Sequence, residues 1–285
     1  MRFRIMTYNV HSCIGLDGRC SPLRTAKTIA RFAPDIVALQ ELDLGRIRTQ
    51  GHDQPRMIAK HLRMFHHYHP AIQVEEELYG DAILSRYPLR VRRADLLRIP
   101  TAVKQKEPRG ALWVTAALPG LDIQVINTHL GLGKKERFYQ AQALAGTGWL
   151  GHPDCCGPRI LCGDFNTIPG SRPFDQLSQH LHTIHNKNKL RDRWPGGTWP
   201  SFFPLARIDH ILVSSHFRVL SAGVPMDRRT IVASDHLPLV ADLDIKIRGS
   251  NKQKNYQPNC SRSIFRNCVS VTSMKFKVSS NCFIA

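Results

Sequence analysis

Arg159-Ile160-Leu161-Cys162-Gly163-Asp164-Phe165-Asn166-Thr167-Ile168-Pro169 is the stretch from which the fold is read. Ile160 to Gly163 has the character of a short buried strand. Polar side chains begin where the apolar run stops. Asp164 and Asn166 are two apart, so in an extended segment they point to the same side, while Phe165 points the other way, into packing. A carboxylate and a carboxamide side by side at a strand end can hold a water through an acceptor and a donor. Pro169 and Gly170 then turn the chain. The same residues also read as a strand followed by an ordinary Asx-rich turn, because Asp and Asn favour turns for local reasons. The rest of the chain decides between the two.

Strands and helices follow on both sides of this stretch. Phe3 to Tyr8 alternates and ends at Asn9, which predicts a strand. Ser21-Pro22 opens a capped amphipathic helix that Pro34 stops. Asp35 to Gln40 reads as a buried strand that delivers Glu41 at its carboxyl end. Residues 54–62 read as a helix, 65–74 as a weak strand, 80–85 as a stronger one, and 89–99 as a half-exposed one. Residues 110–117 and 121–127 form two strands joined by Pro119-Gly120, the second running into Asn127-Thr128-His129. A helix is expected over 134–150 and another over 171–179, with loop over 186–206. Strands are expected over 207–213, 217–224 and 237–245. About ten strands and four helices, with several hairpins, fit two packed sheets flanked by helices and not a doubly wound parallel sheet.

The 285 residues are 42% hydrophobic, enough for one large domain or two small ones. The net charge of +18 favours anionic partners: nucleic acid, phosphorylated small molecules or anionic lipid. Residues 249–285 hold six basic residues and no acidic ones, and the remainder still carries +12. The expected organisation is a domain over 1–248 and a basic, flexible extension over 249–285. The first residues are too short and too charged for a signal peptide, and no apolar run approaches the ~20 residues of a membrane span. A cytoplasmic, monomeric protein is expected. The eight cysteines show no CxxC pair and no finger spacing, and read as reduced thiols.

Chemistry-bearing residues recur at one kind of place, a strand end or the first loop position beyond it. They are Asn9, Glu41, Asp81, His129, Asp164, Asn166, Asp209, Asp235 and His236. Packed sheets bring such edges together. Glu41 with Asn9, Asp209 or Asp235 offers oxygen ligands to a hard divalent cation such as Mg²⁺. Zn²⁺ fits less well, with no His pair at i, i+4 and no cysteine cluster. His236 beside Asp235 suits proton transfer or charge stabilisation, with a carboxylate such as Asp209 fixing its tautomer. Each residue also has a plainer reading: a turn cap for Glu41 and Asp81, a structural histidine for His129. His66, His67 and His69 read as surface groups, and Trp194 and Trp199 as loop anchors. No exposed aromatic hairpin is evident.

Six motifs together resemble the endonuclease/exonuclease/phosphatase superfamily, which includes deoxyribonuclease I. They are Thr7-Tyr8-Asn9-Val10, Leu39-Gln40-Glu41, Asn127-Thr128-His129, Gly163-Asp164-Phe165-Asn166, Arg207-Ile208-Asp209-His210 and Ser234-Asp235-His236, in order over about residues 3–245. The resemblance implies an α/β fold, a four-layer α/β/β/α sandwich of two mainly antiparallel or mixed sheets, with a Mg²⁺ (or Mn²⁺) site at one sheet edge. It implies Glu41 as principal metal ligand with Asn9 and Asp235 beside it. Asp164 and Asn166 would orient water and phosphate. His236 would contact the phosphate or act as base, oriented by Asp209, and His129 would contact phosphate or protonate the leaving group. The expected reaction is in-line attack of water on a phosphoester, most simply a nucleic-acid phosphodiester given the charge. Sphingomyelinase-like or inositol-phosphate chemistry is the alternative, and a non-catalytic binding protein would be expected to lack one of these positions.

Overall fold

The structure is a computed structural model that describes residues 1–179, 181–184 and 196–245. The basic extension over 249–285, Trp194 and the arginines at 191 and 193 lie outside the described residues.

Twelve strands are described: β1 (Arg2–Asn9), β2 (Ile36–Leu44), β3 (Phe65–Val74), β4 (Glu77–Ser85), β5 (Leu89–Leu96), β6 (Gly110–Leu118), β7 (Leu121–His129), β8 (Arg159–Asp164), β9 (His182–Thr183), β10 (Asp209–Val213), β11 (Phe217–Gly223) and β12 (Leu239–Ile245). The α-helices are α1 (Pro22–Ala30), α2 (Gln54–Leu62), α3 (Lys134–Ala145), α4 (Arg172–Ser178) and α5 (Arg228–Ala233). One sheet runs β11-β12-β1-β2-β4-β3 and the other β5-β6-β7-β8-β10-β9. Each is mixed, with one parallel pair at its centre, β1/β2 in the first and β7/β8 in the second.

The central strands bury both faces, which is why their sequences read as unbroken apolar runs. Phe3 and Ile5 of β1, Ile36 and Ala38 of β2, and Ile160 and Cys162 of β8 meet between the sheets. Met6, Tyr8, Val37 and Leu39 point outward to α1 and α2, where Ala26, Ile29 and Ile58 cover them. Leu161 and Phe165 point to the other helical layer with Leu144, Phe174 and Leu177. Three apolar interfaces between four layers give the α/β/β/α sandwich.

A buried polar bridge joins the two sheets. Gln40 donates through Nε2 to Asn127 Oδ1 at 2.7 Å and to Thr7 Oγ1 at 3.1 Å. Asn127 in turn donates to the carbonyls of Leu39 and Ala82. A buried amide network satisfied in this way is stronger than its parts in a low-dielectric interior, and it locks the two sheets in one relative position.

Several boundaries differ from expectation for local reasons. α3 stops at Ala145 because Gly146 leaves the helix, with its N–H bonding back to Gln142 and Ala143. α5 carries no strong apolar period, yet Asp227 caps it by accepting from the N–H groups of Arg229 and Thr230. β9 has only two residues and lacks any sequence signal. His66, His67 and His69 are half-buried along β3, not free surface groups. The five cysteines among the described residues are unpaired thiols. Among the described residues, no helix is long and apolar enough to cross a membrane.

Candidate active site

Register places the chemistry. β7 and β8 run parallel, so their carboxyl ends share one edge, and His129 lies opposite Asp164. β10 runs antiparallel to β8, so its first residue, Asp209, also lies opposite Asp164. In the other sheet, β1 ends at Asn9 beside Gln40 of β2. Ser234-Asp235-His236 leads into β12 at the same edge, held there by Ser234 Oγ donating to the Asn9 carbonyl at 2.8 Å. Residues dispersed over more than two hundred positions therefore meet at one rim.

Asp164 is the hub, buried to 1% exposure. Its Oδ1 accepts from the Asn166 N–H at 2.8 Å, and its Oδ2 accepts from Asn9 Nδ2 at 3.0 Å. Around Oδ2 also lie His129 Nε2 at 3.4 Å and His236 Nε2 at 3.7 Å. Burial, then the charge of Asp209, raises the Asp164 carboxyl above the ordinary range. His236 donates through Nδ1 to Asp209 Oδ2 at 2.8 Å. Burial opposes its charge, but Asp209 and Asp164 outweigh burial and push it up to about 10. It is therefore an imidazolium at neutral pH and a poor base.

His129 has the opposite character. Arg109, a buried arginine, points Nη1 at His129 Nδ1 from 3.1 Å. Burial first, and the guanidinium second, press His129 down to about 3. Its ring is neutral: donors face both nitrogens, Arg109 Nη1 at Nδ1 and Asn166 Nδ2 at Nε2, so a second proton finds no acceptor on those sides, and Asp164 lies beside Nε2. Asn166 Nδ2 lies 3.0 Å from that Nε2 and donates to the Leu130 carbonyl at 2.9 Å. Asn166 has φ +49, a left-handed conformation that Asn tolerates and that turns its amide back over the rim.

Glu41 is not at a strand end. β2 continues to Leu44, and Glu41 sits in a bulge between Leu39 and Leu42 with φ +60. A bulge re-aims a side chain out of the pleat, here toward Asn9, whose Nδ2 donates to Glu41 Oε1 at 2.9 Å. The Asn9 Oδ1 accepts from the His11 N–H at 3.1 Å, so this amide offers its nitrogen, not its oxygen, to the two carboxylates. Burial works to raise the Glu41 carboxyl, but the hydrogen bonds from His11 and Asn9 hold it well below the usual range. Asp81 lies beneath the bulge, fully buried, where its carboxyl accepts from the Glu41 backbone. Burial pushes it up to about 8 against the pull of Arg109.

His11 is a site residue that sequence reading missed. Its Nδ1 lies 3.6 Å from Glu41 Oε2 and 3.5 Å from Asp235 Oδ1. It opens a turn in which His11, Ser12 and Cys13 all have positive φ, the kind of stored strain found at working sites. Its only sequence signal is its position two residues beyond Asn9. Arg109 was equally hidden, since an arginine before a strand looks like a surface group.

The donor set fits a hard divalent cation. Asp164, Asp209 and His236 place one polar atom each within 4.8 Å of one another, and of these the two carboxylates, not the protonated His236, suit a cation. Asp209 Oδ1 is buried with no hydrogen-bond partner, although its other oxygen is paired with His236, and an orphaned buried carboxylate oxygen costs free energy that a further donor or cation would offset. Glu41 and Asp235 supply further oxygens at the mouth. Oxygen-rich, sulfur-free sets suit Mg²⁺ or Mn²⁺.

Residues 6–236 match the model of the Endonuclease/Exonuclease/phosphatase family. The chain is 27% identical over 257 residues to the uncharacterized protein YbhP of Escherichia coli, spanning 85% of this chain and 96% of YbhP. A solved endonuclease/exonuclease/phosphatase family protein of Bacteroides thetaiotaomicron superposes with a TM-score of 0.68 at 21% identity, covering 87% of this chain and 99% of that one. A mannosyl-6-phosphatase of the same organism gives 0.66 at 22% identity, covering 85% and 100%. At these identities the solved structures speak for the fold.

Proposed function

We infer that this chain, which belongs to the endonuclease/exonuclease/phosphatase family of phosphoester hydrolases, cleaves a phosphodiester by in-line attack of water with a divalent cation bound. The supporting observation is the convergence of Asn9, His129 and His236 on the single oxygen Asp164 Oδ2. Asp164, with its raised carboxyl, is placed to take the proton of an attacking water. Asn166 orients that water and the phosphate. His236, charged and steered by Asp209, faces the phosphoryl oxygens, where negative charge grows in the transition state, and neutral His129 lines the same rim. Glu41 and Asp235 would hold Mg²⁺, with Asn9 Nδ2 tying Glu41 to Asp164 beside them. Such a cation, when bound, polarises a phosphoryl oxygen and offsets charge on the leaving oxygen. Water oxygen bonds to phosphorus, one P–O ester bond breaks, and the leaving oxygen gains a proton, giving a phosphomonoester and an alcohol.

Two substrate classes have support on this surface. A nuclease-like reading is supported by a cavity of about 760 Å³ beside Thr167, lined by Lys134, Lys135, Arg137 and Arg172 with Phe138 and Tyr139. None of those four cations is in an ion pair among the described residues, whereas Arg86, Arg90, Arg92 and Arg93 along β5 and its approach are each paired with an aspartate. The paired set belongs to a solvated face. A head-group reading is supported by an apolar hairpin at the rim, described next.

The test is a panel of plasmid, single-stranded DNA, RNA, sphingomyelin, anionic phospholipid and inositol phosphates, with Mg²⁺ and with EDTA. Backbone tracking along a nucleic acid gives a steep salt dependence and head-group cleavage a shallow one. Full metal-dependent activity in Asp164→Ala or His236→Ala would sink the assignment.

A further inference from the structure

Residues 199–206 form a small hairpin that the sequence reads as plain loop. Trp199 and Ala206 bridge, exchanging N–H···O bonds at 3.0 and 2.9 Å. The base is rigid. Thr198 and Ser201 are fully buried. The Ser201 N–H donates to the Asp235 carbonyl at 2.7 Å, and Ser201 Oγ bonds the Ser234 and Ile231 carbonyls at 2.7 and 3.0 Å. Thr198 Oγ1 accepts from the N–H of Asp209, and the Thr198 carbonyl accepts from the Leu237 N–H. The hairpin is thus bolted on either side of Asp235-His236 and to the first residue of β10.

Its tip is apolar and open. Trp199 is 43% exposed, Phe202 and Phe203 63% each, and Leu205 71%. These are four of the fourteen large apolar side chains exposed among the described residues, crowded into seven positions while the others are scattered. Single exposed hydrophobes are ordinary, but a contiguous patch on a rigid support marks an interaction surface. The hairpin base also joins α5 at Ile231. That helix begins with Arg228 and Arg229, which line a cavity of about 670 Å³ with Lys27. None of these three cations is in an ion pair among the described residues, although Arg24 and Arg31 nearby are. A tip of Phe, Trp, Leu and Pro with unpaired cations on the adjoining helix matches the two halves of a lipid surface: an acyl boundary that takes aromatic and aliphatic side chains, and anionic head groups that attract Lys and Arg. Base stacking is the poorer match, because Leu205 has no ring face and the tip carries no charge to hold a backbone.

We propose that the Trp199–Ala206 hairpin seats this protein on anionic phospholipid bilayers, presenting the Asp164 rim to head-group phosphodiesters. The substrate part rests on the phosphodiester reading above; the docking part does not. The experiment measures cosedimentation with phosphatidylcholine vesicles, with and without phosphatidylglycerol, in EDTA, alongside Mg²⁺-dependent hydrolysis of soluble bis(p-nitrophenyl) phosphate. Wild type is expected to sediment with the anionic vesicles only, and less so in high salt. Phe202→Ser/Phe203→Ser is expected to lower partitioning about 100-fold, roughly tenfold per ring, while hydrolysis of the soluble diester stays within about twofold of wild type. Leu205→Ser, which leaves both rings in place, gives a second reading if the double variant folds poorly. Docking is overturned if wild type ignores anionic vesicles or if both variants bind as wild type does. It is also overturned if the double variant instead dissolves a wild-type dimer or loses single-stranded DNA binding. Vesicle binding without hydrolysis of any diester supports docking and overturns the catalytic reading.

Discussion

Gly163→Ala tests the geometry of the rim most directly. Gly163 has φ +140, a region open almost only to glycine, and a Cβ built there would lie 1.9 Å from the Thr128 carbonyl oxygen of β7. Carbon–oxygen contacts settle near 3.3 Å or beyond, so the edges of β7 and β8 must part by more than about 1 Å. The backbone conformation alone costs about 1–3 kcal/mol, and overpacking adds about 1–3 kcal/mol. A stability loss of about 2–6 kcal/mol is expected by urea unfolding in EDTA. The separation falls where His129 stands opposite Asp164, so kcat/KM per folded molecule should drop about 100-fold, as misplacements near 1 Å do. Gly170→Ala is the control. Gly170 also has positive φ, +83, but nothing lies within 4 Å of its built Cβ. It should cost only about 1–2 kcal/mol and leave activity alone. A Gly163→Ala protein as stable as wild type would refute the steric part. One that is destabilised yet fully active per folded molecule would refute the claim that this strand contact sets the site.

Acid should weaken the fold through His210, whose Nε2 donates to the Thr167 carbonyl at 2.8 Å and whose ring packs on Phe165 and Phe174. Burial lowers it from 6.5 to about 4. The folded state therefore binds fewer protons than the unfolded one, and its stabilisation is complete above pH 6.5 and lost as pH falls toward 4. The loss is on the order of 3 kcal/mol, and urea midpoints of wild type against His210→Gln across that range should show the difference shrinking with acid. Asp209→Asn should lower turnover about 10²–10³-fold. Because it strips His236 of its partner, the alkaline limb of the kcat/KM profile should also move to lower pH; an unmoved limb would deny the pairing a role. EDTA should abolish activity and Mg²⁺ restore it. Glu41→Gln should need markedly more Mg²⁺ for half-maximal rate, and an unchanged Mg²⁺ titration would remove Glu41 from the cation site.

Much of the molecule was legible in one dimension because its signals are local. Apolar runs such as Ile36–Leu39 and Ile160–Cys162, the Ser21-Pro22 cap and the Pro119-Gly120 turn each act within a few residues, and together they specify strands, helices and the two-sheet class. The six polar motifs stood out because each adjoins such a run, four at its end and two, Arg207–His210 and Ser234–His236, at its start. What chain order could not carry were the consequences of register and of close approach between distant segments. The bulge that turns Glu41 toward Asn9 depends on pairing with β4. The neutrality of His129 depends on its burial and on Arg109, which arrives from just before β6, and the charge of His236 depends on two aspartates that only packing brings near. His11 acquires partners only because the Glu41 bulge of β2 and Asp235, from the far end of the domain, both reach the end of β1. The Phe202-Phe203 tip looked like loop because solvent exposure is decided by what the rest of the fold leaves uncovered. Sequence periodicity specifies which face of an element is apolar; the electrostatic state of a buried group is set by neighbours that other strands and loops bring against it.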